Sequence, residues 1–418
     1  MTVLGSMLVA SGAMDMFSNS LGVTGDNIAN VNTNGFKTTR FSFDDVMPTV
    51  SGEIETGHGA RLADVGKPFQ QGTLETTGNS TDLAISGYGF FVVRDPLDGG
   101  LRYTRAGQFH IDKNSQLVNA GDMILQGTGG DITIDTTTAV PAQATTSLAL
   151  QFNLDAAAAT PAAAFPAGPD ALPGSWIAGS NFSLVQTVYD SLGASHDLTF
   201  LFRQTAPNTW DYHVVAPRKD LDAAAPASAD WREVSAPGTL AFTASGQLDL
   251  PSSTIANING VTWTNGANQT IAAGSLDFTG TVQFARPSVL LGAGQDGLAS
   301  GTLSGISIDA QGNINGLFTN GSSQVLASIA LANFANVDDL DPLGDTLFVP
   351  TFASGAAQTG APGQNELGNI VAGTLESSTV DLAREFVGLI TLQRAFQVNS
   401  RVVTTADQMY AIAAQLKA

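Results

Sequence analysis

Gly292-Ala-Gly294-Gln-Asp-Gly297 has the spacing of a dinucleotide-binding turn, in which glycines let the backbone approach a pyrophosphate at a helix N-terminus. It follows the apolar Val289-Leu290-Leu291, as such a turn should. The residues after it, LASGTLSGISIDAQG, are rich in Gly and Ser and then strand-like, so no helix opens there and the stretch reads as a loop. Asp112-Lys-Asn114 and Asp309-x-x-Gly312-Asn313 resemble the start of calcium loops, but both lack the downstream Glu and the full run of oxygen ligands. They read as tight turns, where Asp and Asn side chains bond to nearby backbone. His58, His110, His196 and His213 are scattered, and none pairs with a second ligand at helical spacing, so no metal site is expected. No G-x-S-x-G element is present and the chain has no cysteine, which removes thiol catalysis, disulfides and thiolate metal sites. No catalytic residue, cofactor or enzymatic activity is expected.

Composition points toward assembly instead. The chain has 418 residues, of which 43% are hydrophobic and only 13% charged, about half the usual ~25%. Ala, Thr, Ser, Asn and Gly take the place of charge, which suits extensive subunit contacts. With 17 basic against 37 acidic residues the net charge is −20, so nucleic acid is not an expected partner. No run reaches the ~18–20 apolar residues of a membrane span, so no membrane insertion is expected. The first basic residue is Lys37 and the opening apolar stretch is broken by Gly5, Ser6, Ser11 and Gly12, so a cleaved signal peptide is not expected either.

The strongest pattern lies at the two ends. Met7, Met14, Leu21 and Ile28 recur every seven residues, with Val3, Ala10, Phe17 and Val31 on companion positions. Leu382, Leu389, Phe396, Val403 and Tyr410 repeat likewise, flanked by Phe386, Leu392, Ala406 and Ala413. A seven-residue apolar repeat keeps one stripe of a helix facing a partner. Each end therefore reads as a long helix with an assembly seam, paired with the other end or with copies of it.

Between the ends the pattern is β. The spacing predicts an N-terminal coiled-coil helix over 1–34, closed by the Asn-rich NIANVNTNG, and a linker with short strands over 35–80. A first β domain follows in two parts, 81–145 and 281–365, with a second inserted over 146–280, and a C-terminal coiled-coil helix over 366–418. Runs such as Phe182–Tyr189, Leu198–Arg203 and Trp210–Val215 alternate as strands. Trp176, Trp210, Trp231 and Trp263 all fall in the insertion, which argues for a separate core. The expected fold class is α+β, mainly β: two long terminal helices forming a coiled-coil layer, plus two β-rich domains, the second inserted in the first.

Four stretches share a family likeness. Asn27-Ile-Ala-Asn30-Val-Asn32-Thr33-Asn34-Gly35-Phe36-Lys37 resembles the N-terminal signature of the axial proteins of the bacterial flagellum, the rod and hook family. Leu83-Ala84-Ile85-x-Gly87-x-Gly89-Phe90-Phe91, with Tyr103-Thr104-Arg105-Ala106-Gly107, resembles that family's first β segment, and Asp309-x-x-Gly312-x-Ile314-x-Gly316-x-Phe318 its second. Gly373-x-Leu375-Glu376-Ser377-Ser378-x-Val380-Asp381-Leu382, with Gln393-Arg394-Ala395-Phe396-Gln397-x-Asn399, resembles its C-terminal helix. Thr379 and Val398 stand where Asn and Ala are more usual. The likeness covers both ends and flanks the insertion.

The length and the inserted β domain match the hook-type members rather than the shorter rod-type ones. The resemblance implies a structural, non-enzymatic subunit of the basal body and hook that polymerises into a curved, hollow helical tube. That tube would serve motility as a universal joint transmitting torque from rod to filament, and as an export channel. Implied partners are further copies of the chain, the rod and hook–filament junction proteins, and the hook cap and type III export apparatus during assembly. The implied location is the extracellular hook, reached without a cleaved signal. A distal rod protein of the same family, or a secreted adhesin or surface-layer protein, would share part of this composition.

Helices that lack their burial partners are marginal in water, so the terminal helices of an isolated monomer are expected to be largely unfolded. Circular dichroism of the monomer should then show little helix beyond that of the same chain lacking residues 1–30 and 375–418. A helical signal equal to two complete terminal helices would overturn this expectation.

Overall fold

In a computed structural model the described residues are 3–46, 49–51, 54–56, 59–135, 137, 139–221 and 230–416. His58 lies outside them, as do the side chains of Val3 and Ala413. The chain divides into two compact units, one of residues 1–136, 305–316 and 324–418, the other of residues 137–304 and 317–323.

The first unit holds both long helices, Val3–Ala29 and Leu382–Leu416. Neither contains proline, and the N-terminal one stops where the Asn-rich segment begins. Asn30 and Thr33 bond back onto the last turn, the Asn30 amide donating to the Asp26 carbonyl at 3.0 Å. Gly35 then turns the chain with φ 73°. A Cβ there would stand 2.6 Å from the Ala106 nitrogen, so glycine is required by both torsion and space. Asp381 starts the C-terminal helix as its cap, accepting from the Ala383 and Arg384 amides at 3.0 and 3.3 Å.

Behind the helices sits a sheet centred on Phe90–Arg94. This strand pairs with Leu101–Thr104 (Phe91 opposite Thr104), with Ile124–Gly127 (Val93 opposite Leu125) and with Leu331–Asn333 (Phe91 opposite Leu331). The Asp341–Gly344 and Leu347–Val349 hairpin extends the sheet beyond Leu101–Thr104. Its core is aromatic: Phe90, Tyr103, Phe334 and Phe348 are buried, with Phe69 edge-on to Phe90 at 5.3 Å and to Phe348 at 5.1 Å. Edge-to-face contacts place positive ring edges on negative faces, a gain beyond simple burial. Strands Arg40–Asp45 and Ala60–Gly66 pair antiparallel and pack on the N-terminal helix, where Phe17 meets Phe43 edge-on at 6.1 Å.

The second unit has its own core. Phe182–Tyr189, Ser195–Ala206 and Thr209–Pro217 form an antiparallel meander, with Trp231–Glu233 beyond Thr209–Pro217. Leu148–Asp155 runs parallel to Val282–Phe284 and antiparallel to Val289–Gln295. Phe152, Phe200, Phe202, Trp210, Tyr212, Trp263 and Phe278 are sealed between them. Trp176 is buried with Leu201 and Val215, and Trp231 packs against them.

Two local readings are settled here. The glycine-rich stretch is a strand rather than a loop: Gly292 and Gly294 lie within Val289–Gln295, paired with Leu148–Asp155, and no helix follows. A run of small and β-compatible residues takes whatever edge the neighbouring strand offers. Asp112 and Asp309 serve their own turns, Asp112 accepting from the Asn114 and Gln116 amides and Asp309 from those of Gln311 and Asn313.

Asp190 pins another turn inside the second unit. Its carboxylate accepts from the Leu192 and Ala194 amides at 2.8 and 3.0 Å, and contacts His196 Nε2 at 2.9 Å and Asn265 Nδ2 at 2.5 Å. His196 in turn stacks on Trp263 with centroids 3.7 Å apart. Burial opposes the ionised carboxylate, but the donors around it outweigh burial and hold it below the ordinary aspartate range. A depressed folded value means stability that is full above the unfolded value of ~3.9 and lost as pH falls through the folded one. Acid unfolding followed by tryptophan fluorescence should therefore begin below about pH 4, and Asp190→Asn should lower stability at pH 7 by about 1–3 kcal/mol while flattening that acid dependence.

Candidate functional site

At the base of the two helices a carboxylate is enclosed by two cations. Lys37, Arg105 and Glu376 are 2%, 5% and 1% exposed. Lys37 Nζ lies 2.5 Å from Glu376 Oε1 and donates to the Gln70 carbonyl at 2.6 Å. Arg105 Nη1 stands 3.4 Å from Glu376 Oε2, while its Nη2 donates to the Gly87 carbonyl at 2.9 Å and its guanidinium lies over the Phe90 ring. The Gly72 amide adds a bond to Glu376 Oε1 at 2.7 Å, and the Gly35 amide one to the Glu376 carbonyl at 2.7 Å. Burial pushes the Lys37 ammonium and the Arg105 guanidinium below their ordinary ranges, against the opposing pull of Glu376.

Backbone clamps surround this group. Asn27 reaches from the helix to both polar groups of Thr39, its Nδ2 donating to the carbonyl and its Oδ1 accepting from the amide, each at 2.9 Å. The Thr38 amide donates to Thr379 Oγ1 at 2.9 Å, and the Thr379 amide to the Phe36 carbonyl at 3.2 Å. The segments leaving the N-terminal helix and entering the C-terminal helix are thus bonded side by side. From that root the helices pack antiparallel, and Ser6 near the start of one lines a groove with Val398, Arg401, Val402, Thr405 and Met409 of the other.

The seam residues are distributed unevenly. On the N-terminal helix Ala10 is buried, and Met7, Met14, Phe17, Leu21 and Ile28 are half-buried, as is Val31 just beyond it. Its sealed line is Ala10, Met16, Ser20, Thr24 and Asn27, at alternating gaps of six, four, four and three residues. Ser20 and Thr24 satisfy their hydroxyls on the carbonyls of Met16 and Ser20, at 2.9 and 3.0 Å. Apolarity alone does not reveal such a line; the recurrence of small residues at helical spacing would.

On the C-terminal helix Leu392 and Ala406 are buried and Leu389, Phe396 and Val403 half-buried. Leu382, Phe386 and Tyr410 are 39%, 50% and 44% exposed. With Val387, Ile390, Val398, Val402, Met409 and Ile412, each at least 40% exposed, they leave nine large apolar side chains uncovered on this helix. A run of this length is far beyond the scattered apolar residues of an ordinary surface. Of the Asn-rich motif, Asn27, Gly35, Phe36 and Lys37 are buried, Asn30 and Thr33 half-buried, and Asn32 exposed. Glu376 and Arg105, the partners that explain Lys37, were visible as residues but not as partners, because 339 and 271 positions separate the bonded pairs.

Among the described residues no group of three or more His, Asp or Glu is placed to hold a metal ion, and no helix is long and apolar enough to cross a membrane. What the site presents instead is a buried ion cluster and exposed apolar side chains.

Family models agree with that character and fix its class. Residues 7–37 match the flagella basal body rod protein model, and residues 84–150 the flagellar hook protein FlgE/F/G D1 domain. Residues 153–298 match the flagellar basal body protein FlaE D2 domain, and residues 371–416 the flagellar basal body rod FlgEFG protein C-terminal model. Together these define a structural protein of the flagellar rod and hook class, with no enzymatic role. Over its whole length the chain is similar to three hook proteins FlgE. It is 34% identical to that of Salmonella typhimurium, covering 96% of this chain and 97% of the relative. It is 32% identical to that of Escherichia coli at the same coverage, and 32% to that of Rhizobium meliloti with both chains covered completely. The chain belongs to the flagellar hook protein FlgE family.

Replacing Glu376 by Gln leaves two buried cations without their anion and should destabilise the first unit by about 3–5 kcal/mol. Because all four tryptophans lie in the second unit, urea unfolding should show the loss by circular dichroism while the tryptophan-fluorescence transition stays in place. Equal displacement of both transitions would contradict this assignment.

Proposed function

We infer that this chain is the structural subunit of the flagellar hook, and that copies polymerise by covering the outer face of the C-terminal helix. The observation that carries the reading is that this helix is already paired with the N-terminal helix, yet leaves nine large apolar side chains exposed along its length. Burying one large apolar side chain contributes about 1.5–3 kcal/mol. Nine such side chains therefore form a strong driving surface even after the costs of association are subtracted.

In such a polymer the antiparallel helix pairs form an inner layer, and their repetition leaves a hollow core through which later subunits travel. The tube is curved and works as a universal joint between rod and filament. The ends of the polymer meet the rod proteins on one side and the junction proteins on the other. The cap and the type III export apparatus attend its growth. Low surface charge supports this use, since contacts that are remade as a tube bends are best built from small polar and apolar groups rather than fixed ion pairs.

Val387→Asp and Ile390→Asp change exposed side chains of the C-terminal helix that do not line its groove with the N-terminal helix. Each should abolish tubes seen by electron microscopy of the concentrated protein while preserving the monomer's circular dichroism. Phe396→Asp, on the paired side, should block tubes as well while leaving the β structure folded. Tubes of normal length and number from the Val387 and Ile390 variants would refute the exposed apolar side chains as the assembly surface.

A further inference from the structure

The N-terminal helix carries two charged residues, Asp15 and Asp26, both acidic and both exposed. Neither enters an ion pair among the described residues. Asp26 Oδ1 accepts from the Asn30 side-chain amide one turn on, at 3.0 Å. Asp15, Asn19, Gly22 and Asp26 are all exposed and follow one another at steps of four, three and four residues, so they share one side of the helix. A Cβ at Gly22 would stand in open space. Glycine is a poor helix former beside alanine, and no contact among the described residues accounts for it there.

The C-terminal helix presents the opposite charge. Arg384 and Arg394 are exposed and form no ion pair among the described residues. The uncovered Val387 and Ile390 lie between them, so Arg384, Val387, Ile390 and Arg394 make one side of this helix at steps of three, three and four residues. None of the four lines the groove shared with the N-terminal helix, whereas Arg401 does. Of the acids on this helix, Glu385 is half-buried and Asp407 lies toward the far end.

The two spacings correspond. Asp15 and Asp26 are eleven residues apart and Arg384 and Arg394 ten, about 16.5 and 15 Å at 1.5 Å per residue. Copies standing side by side in one direction place the N-terminal helix of one antiparallel to the C-terminal helix of the next. At a single axial offset Asp26 then falls opposite Arg384, Gly22 opposite Val387, Asn19 opposite Ile390 and Asp15 opposite Arg394. The missing Cβ of Gly22 makes room for the valine. A contact between unlike faces is heterologous, so it repeats from copy to copy instead of closing a dimer. We propose that the Asp15–Asp26 face of the N-terminal helix in one copy covers the Arg384–Arg394 face of the C-terminal helix in the next. This rests on the reading of the exposed apolar side chains as the assembly surface, and it names what covers them. Exposed ion pairs add little by themselves, but like charges brought together are costly, so these pairs fix register and reject wrong neighbours.

Asp15→Arg and Arg394→Asp each bring like charges together, and each alone should raise the critical concentration for polymerisation by at least about tenfold. An equimolar mixture of the two variants should form tubes, since each supplies the charge that the other lacks, and rescue by mixing cannot come from a contact within one chain. Gly22→Ala should strengthen the helical circular dichroism of the monomer and still weaken polymerisation, which a role confined to the helix itself would not produce. The chain has no cysteine, so an Asp15→Cys, Arg394→Cys double variant can form disulfides only through these two positions. Oxidised as assembled polymer, it should give a ladder of dimers, trimers and longer species on non-reducing gels. Single charge variants that assemble like the parent chain, or a mixture no better than its components, would overturn the pairing. So would a ladder from Asp64→Cys, Arg394→Cys in its place, which would assign the cover to the neighbour's Ala60–Gly66 strand. Tubes lost in the Val387 and Ile390 variants would then leave the assembly surface standing without this partner. A chain that forms no polymer under any condition would overturn both.

Discussion

One buried carboxylate holds the two ends of this chain together. Glu376 faces Lys37 from the segment after the N-terminal helix and Arg105 from the β core, and none of the three is more than 5% exposed. An isolated buried ion is costly, so each of these groups is tolerable only while the others are in place. Replacing a buried ionic set by well-packed apolar residues of similar volume is often neutral or stabilising. What an apolar cluster would not supply is register: a carboxylate with donors fixed at Lys37, Arg105 and Gly72, on a residue whose main-chain carbonyl is held by the Gly35 amide, accepts only one relative placement of four segments. That placement sets the root from which both long helices leave.

From that root the rest of the first unit follows. Asn27 and Thr379 lock the adjoining backbone, so the helices begin their antiparallel course already aligned. Small residues are prominent among the buried positions of the pair, with Ala10, Ser20 and Thr24 on one helix and Ala406, beside Leu392, on the other. Large apolar side chains are displaced to the flanks and, on the C-terminal helix, to the outside.

The second unit solves a different problem. Its core carries three buried tryptophans among its strands, including the His196–Trp263 stack and the Asp190 turn beside it. It has its own hydrophobic core, in which aromatic residues are concentrated although they are scarce in the chain as a whole.

How much of this could be read in advance depends on the range of the interaction. Both long helices were legible from a seven-residue recurrence, and Phe182–Tyr189 from its alternation, because helix and strand periodicities are local. The gathering of all four tryptophans between 176 and 263 announced a separate core for the same reason: composition is also local. The Asn-rich turn, the capping Asp381 and the Asx turns at Asp112 and Asp309 are short-range chemistry that residue type alone decides. Tertiary structure decided the rest. Nothing in the residues around Lys37 shows that its counter-charge stands 339 positions away. Nor do they show that Ser20 and Thr24 are sealed while Phe386 is not, or that Gly292 and Gly294 complete a strand. Which face of a helix is covered, and which carboxylate meets which cation, depend on what the folded chain brings alongside, and that information is spread over the whole sequence.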